Sequence, residues 1–242
     1  MRRPRLSRGH APFERLLSPP GPPGARWSVV SSPDPATMSS PALVDLLLSA
    51  AGRASTVDLS ELASRCDSEY AGYVRQWPGE HYRLLAALVA ALRPRRVVEV
   101  GTFLGHSALA MLAGSEDVEV LTYDVLPWSS FEGSALRAAD FAPGRLEQRL
   151  GDLSEPAYLA TQLDTLRQAD LLFVDAPKDG RFEQAFVATA LEQLRDRRRI
   201  VVFDDIRLLP MVELWRTLPF SRVDATSLGH WSGTGILETA TK

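Results

Sequence analysis

With 242 residues, the chain is long enough for one α/β domain plus a terminal extension, and too short for two full catalytic domains. Apolar residues make up 45%, enough for a sizeable core, and a net charge of −3 offers no global attraction to nucleic acid or an anionic membrane. The single cysteine, Cys66, excludes an intramolecular disulfide framework and a zinc–cysteine cluster.

Residues 1–37 differ from the rest. They hold 8 of the 17 prolines, and six arginines against Glu14 and Asp34 give +4, which leaves −7 for residues 38–242. Such a stretch cannot bury enough surface to offset its ordering entropy, so a disordered tail is expected. It lacks the compact apolar centre of a secretory signal, and translation starting at Met38 is the simpler reading. No apolar run approaches the roughly 20 residues that span a bilayer, so no membrane partner is expected and a cytoplasmic location is.

From Pro41 the pattern is helical, opened by Ser39-Ser-Pro41 and carried by Leu43, Leu46, Leu47 and Ala50. A second helix is expected over 59–71, then Trp77-Pro78-Gly79 breaks the pattern. A third, over 80–92, stops before Pro94. Residues 38–94 thus read as a helical cap.

Beyond Pro94, apolar runs at 96–100, 118–123, 146–150, 170–174 and 200–203 alternate with helical candidates at 107–113, 132–139, 156–167, 182–195 and 210–218. Strands without polar alternation suit a parallel sheet covered on both faces. The last two strands, 222–227 and 233–238, are too close for a parallel crossover and should pair antiparallel. Residues 95–242 therefore read as an α/β Rossmann-like domain, a mostly parallel seven-stranded sheet closed by an antiparallel hairpin.

The first strand runs into Glu99-Val-Gly101-Thr-Phe-Leu-Gly105-His-Ser107, a glycine turn at a helix start, where backbone can approach a ligand. The spacing differs from the G-x-G-x-x-G dinucleotide fingerprint. Asp124 ends the second strand, 23 residues after Gly101, where an acid can accept from ribose hydroxyls, and Asp152 ends the third, beside an adenine position. Each acid alone is equally a helix cap or turn residue. Together they mark the ligand-binding edge of the sheet.

Over roughly residues 75–240 the sequence resembles the class I S-adenosylmethionine-dependent methyltransferases, with Val97–Ser107 similar to their first motif. The resemblance implies S-adenosylmethionine as cofactor. It places Gly101, Gly105 and Ser107 at the methionine part, Asp124 at the ribose and Asp152 at the adenine. Glu99 would orient the amino group, and Asp175 is a further candidate contact.

Asp175-Ala-Pro-Lys178 follows the fourth strand and Asp204-Asp205 the fifth. Neighbouring parallel strands end about 5 Å apart, so these three carboxylates can converge on one cation. With oxygen ligands and no interleaved histidine, magnesium or calcium is expected over zinc. The pattern resembles the catechol and caffeoyl-coenzyme A type O-methyltransferases, with Asp205 where those carry Asn. Alternatively, Asp204 and Asp205 only position a loop.

A bound cation would acidify an acceptor hydroxyl, and Lys178 is the candidate base. It is the only lysine besides Lys242 in an arginine-using chain, although a solvated loop lysine is the bland reading. His230, in Gly229-His-Trp-Ser-Gly-Thr-Gly235, is a second base candidate, with Trp231 a possible wall for the acceptor. The expected activity is methyl transfer to a small-molecule hydroxyl. Its rivals are metal-independent transfer on the same fold, a nicotinamide oxidoreductase and a non-catalytic cofactor binder. The acidic catalytic region argues against nucleic acid, and a homodimer would cover the cap's apolar helices.

Overall fold

The computed structural model describes residues 37–239. Apart from Thr37, the expected tail lies outside the described residues, as does Lys242. The cap comprises α1 (Pro41–Ala54), α2 (Ser60–Arg65), α3 (Ser68–Arg75) and α4 (Tyr82–Leu92). Then come β1 (Arg96–Val100), α5 (His106–Ala113), β2 (Glu119–Asp124), α6 (Ala138–Phe141), β3 (Leu146–Leu150), α7 (Pro156–Gln168) and β4 (Leu171–Val174). The chain closes with α8 (Arg181–Thr189), β5 (Ile200–Asp204), α9 (Leu209–Thr217), β6 (Ser221–Asp224) and β7 (Thr234–Glu238).

The seven strands form one sheet in the order β3-β2-β1-β4-β5-β7-β6. Pairing is parallel from β3 to β5, and β7 runs antiparallel to both β5 and β6. This is the Rossmann-like α/β fold with the expected terminal hairpin. The chain leaves β1 in one direction for β2 and β3, then returns to β4 on its other side. The crevice at that reversal, at the carboxyl ends of the strands, is where such sheets bind ligands.

Period-2 alternation sorts the strand side chains into two cores. Val98, Val100, Leu172, Val174, Val201 and Phe203 pack with Phe186, Met211 and Trp215 of the helices on one face. Val97, Leu171, Phe173, Ile200 and Val202 pack with Leu43, Leu84, Leu88 and Met111 on the other. That second face is the one the cap covers. By the same alternation Glu99 belongs to the cap side, and so do Asp175 and Asp204 where β4 and β5 end.

Three expected helices differ, and that over 182–195 ends at Thr189, followed by a 3-10 turn at Leu191–Leu194. The helix at 59–71 is two helices, because Cys66 and Asp67 are both extended and Arg65 turns to hydrogen-bond Asp140 with two bonds of 2.8 and 3.0 Å. The helix expected at 132–139 begins only at Ala138. Ala135 N donates to Leu104 O at 3.0 Å and Leu136 is buried against Gly105, which holds this segment on the glycine loop. The helix start at Ser40 is as read: its hydroxyl accepts from Leu43 N at 3.1 Å, with Pro41 in the first turn.

Candidate active site

A cleft of about 810 Å³ opens over the β1/β4 reversal, large enough for a nucleoside-sized ligand. Gly101, Asp124, Asp152, Asp175 and Lys178 line it. Gly101 has φ +103°, and a Cβ there would lie 2.1 Å from the carbonyl oxygen of Asp175. The glycine therefore lets the loop lie directly against the end of β4. Asp124 fixes the same loop: one oxygen accepts from the amides of Thr102 and Phe103, both at 3.0 Å, and the other from Leu126 N at 3.0 Å. Asp152 accepts from Ser154 N at 2.8 Å. Phe103, Leu126 and Phe131 supply an apolar wall, with Phe103 and Phe131 edge to face at 5.3 Å.

Glu99, Gly105 and Ser107 lie behind this lining. Glu99 is fully buried and accepts a short hydrogen bond from the Ser107 hydroxyl, while its Oε2 has no partner. Burial pushes its carboxyl up to about 8, against the lowering by hydrogen bonds from Ser107 and Thr122. The Ser107 hydroxyl is turned to Glu99 rather than into the cleft, and Gly105 packs against Leu136.

An unpaired buried acceptor beneath the loop fits a cofactor ammonium. Between pH 4.5 and about 8 the folded protein binds a proton at Glu99 that the unfolded chain has lost, so stability from this group falls as pH rises through that window. The midpoint of thermal unfolding should fall over the same range, and Glu99→Gln should remove that component; an identical pH profile in the variant would refute it.

Beside the cleft, Asp175, Asp204 and Asp205 gather around Lys178, as the neighbouring strand ends allow. Lys178 Nζ stands in short contact with Asp175, 3.1 Å from Asp205 Oδ2 and 3.8 Å from Asp204 Oδ2. Burial alone would lower the lysine, but the three carboxylates outweigh it and hold it well above the usual range. Lys178 is thus an ammonium here, held by acids rather than solvated. Asp175 is raised, chiefly by burial and by the charge of Asp204.

No histidine is interleaved with these acids in the sequence, yet two reach them in space. Gly79 and His230 form a bridge, with Trp231 N donating to Gly79 O at 3.2 Å, so the terminal hairpin and the turn before α4 meet over the acids. His81 Nδ1 and His230 Nδ1 each stand 3.3 Å from Asp204 Oδ1. His230 also faces Asp205 Oδ1 at 3.2 Å through Nδ1 and Glu80 Oε2 at 3.1 Å through Nε2.

Burial lowers His230, but the nearby carboxylates of Asp204, Asp205 and Glu80 outweigh this and push it up to about 12. Both nitrogens are occupied and the ring is charged. His230, a candidate base from the sequence, is thus faced by carboxylates at both ring nitrogens. Burial would raise Asp204, yet the two imidazoles hold it far below the usual carboxylate range. Asp205 accepts a short hydrogen bond from the Ser232 hydroxyl. Trp231 is 71% exposed beside this cluster.

Glu80 carried no local signal, whereas the place of His81 after Trp77-Pro78-Gly79 put it on the cap over the cofactor site, with nothing to show that it would meet Asp204. The acids also pass a test for a cation: Asp204 Oδ1 and His81 Nδ1 are buried without a hydrogen-bond partner, and a cation would satisfy both.

Residues 98–206 match a family model described as a methyltransferase domain. Among curated proteins none matches. Similar solved structures include the SAH-bound methyltransferase PaMTH1 of Podospora anserina, 16% identical over 82% of this chain and 88% of that one, with a TM-score of 0.45. The O-methyltransferase of Bacillus cereus in complex with SAH is 19% identical over 80% and 89%, with a TM-score of 0.44. A Geobacter sulfurreducens methyltransferase is 19% identical over 65% and 77%, with a TM-score of 0.45. No helix among the described residues is long and apolar enough to cross a membrane. The matched segment runs from β1 to just past Asp205 and contains the glycine loop, the Asp124 and Asp152 strand ends and the acid cluster, so this part of the chain is similar to methyltransferase domains.

Proposed function

We propose that this chain is a class I S-adenosylmethionine-dependent methyltransferase that transfers the cofactor's methyl group to a hydroxyl oxygen of a small molecule with the help of a divalent cation, held by Asp175 and Asp204 with Asp205 beside them. The gathering of Asp175, in the cleft lining, with Asp204 and Asp205 around Lys178 carries this reading, because methyl transfer itself needs no such charge. When bound, the cation lowers the pKa of the acceptor hydroxyl and offsets the carboxylate charge that keeps Lys178 protonated.

The chain's own residues do the rest. Asp124 holds the loop amides in place, so the cofactor meets a preformed cradle. Glu99 binds the cofactor's ammonium, and Asp152 meets the adenine end of the cleft. Lys178, in the cleft wall between cofactor and acids, takes the acceptor's proton once its charge is no longer held by three carboxylates. His230, clamped by Glu80 and Asp205, keeps the acid cluster in register. Trp231, exposed beside it, offers a flat wall to the acceptor.

Titration calorimetry of S-adenosylmethionine, with and without magnesium, followed by turnover on hydroxylated compounds with and without a chelator, tests the reading. Turnover that survives chelation unchanged would remove the cation. Lys178→Met should lower kcat by about 10²- to 10⁴-fold while leaving cofactor affinity nearly intact, the range expected for a lost general base. An unchanged kcat would take Lys178 out of the mechanism.

A further inference from the structure

The acid cluster has two unlike sides. On one, Lys178 faces Asp175, Asp205 Oδ2 and Asp204 Oδ2. On the other, Asp204 Oδ1 looks towards the cap and finds His81 Nδ1 at 3.3 Å without the alignment of a hydrogen bond. Both atoms are buried and unpartnered, and the His81 side chain is only 6% exposed. His81, Asp175 and Asp204 each bring a ligand atom within 4.8 Å of the others. His230 Nδ1 stands at the same 3.3 Å from Asp204 Oδ1, but it is already hydrogen-bonded by Asp205 and Ser232 and its Nε2 faces Glu80.

Resting on the cation reading above, we infer that His81 of the cap is a metal ligand, and that the cation sits on the histidine side of Asp204, bound by His81 Nδ1, Asp175 and Asp204. The donor set is then mixed nitrogen and oxygen. An imidazole donor favours borderline divalent ions such as cobalt, iron, nickel or zinc over magnesium and calcium, which take oxygen ligands. The ring is set for the task by its neighbours, packing against Tyr82 at 4.6 Å and Phe173 at 5.3 Å between ring centroids. Because His81 immediately precedes α4, docking of the cap and loading of the metal become one event. Lys178 stays on the far side of the acids, in the cleft wall.

The test uses the full chain, stripped of metal and titrated calorimetrically with cobalt, manganese and magnesium chlorides. Pulsed electron paramagnetic resonance of the manganese form provides a readout independent of activity. The wild-type protein should show nitrogen coupling to manganese, and His81→Phe, which keeps the ring stack, should lose it. The same variant should lose at least about tenfold in cobalt affinity, as ligand-shell changes do, and clearly less in magnesium affinity. His230→Phe should retain the coupling. Should His81→Phe fail to fold, nitrogen coupling that persists in His230→Phe still assigns the donor. Binding without nitrogen coupling, or equal losses for cobalt and magnesium, overturns the assignment while leaving the cation reading intact. No binding of any of the three ions to the wild-type chain overturns both.

Discussion

Gly101→Ala is expected to weaken cofactor binding by at least about 100-fold, about 2.7 kcal/mol, and to destabilise the fold by about 3 kcal/mol. Two costs combine. The residue holds φ +103°, which an L side chain rarely adopts, and the new Cβ would sit 2.1 Å from the Asp175 carbonyl oxygen. The backbone on both sides is pinned, since Gly101 N donates to Tyr123 O at 2.8 Å and Asp175 N to Val100 O at 2.9 Å. Relief must therefore come from moving the loop off β4, which takes the Thr102 and Phe103 amides with it. Gly144→Ala is the control. It also has a positive φ, +75°, but nothing lies within 4 Å, so only the backbone strain of about 1 kcal/mol should appear. Chemical denaturation and calorimetry on both variants separate strain from collision; equal effects in the two would show that the contact with Asp175 does not matter.

Asp204→Asn should be the most damaging isosteric change in the acid cluster. This carboxylate, with a side chain only 4% exposed, lies between two imidazoles and within 3.8 Å of the Lys178 ammonium. Removing its charge leaves the surrounding positive groups short of a counterion, a loss of about 3–5 kcal/mol for a broken buried pair. Cation affinity should fall by at least about 100-fold. The glycine loop and Asp124 are untouched, so cofactor affinity at a temperature where the variant is folded should hold. A variant that loses neither stability nor cation binding would show that Asp204 is a loop residue only.

The glycine loop was legible because strand, turn and helix start are contiguous: Glu99, Gly101 and Gly105 lie within seven residues. The strands were legible for a related reason, since burial on both faces demands unbroken apolar runs. The failures were also local. The pattern at 132–139 looked helical, but Ala135 and Leu136 are engaged by Leu104 and Gly105, a contact across 30 residues that propensity does not contain.

By itself the sequence determined the α/β class, the antiparallel ending and the loop that receives the cofactor. It also determined that Asp175, Asp204 and Asp205 would meet, because adjacent parallel strands deliver their ends side by side. Only the tertiary structure decided what surrounds those acids. Glu80 and His81 lie more than 120 residues before Asp204, and His230 lies 25 after Asp205. They arrive because the cap packs on one face of the sheet and the Gly79–His230 bridge closes over it. That closure brings Glu80 and His230 to Asp204 and Asp205 and sets His81 against Asp204. Spacing along a strand carries the face a side chain takes. It carries nothing about which distant helix will cover that face.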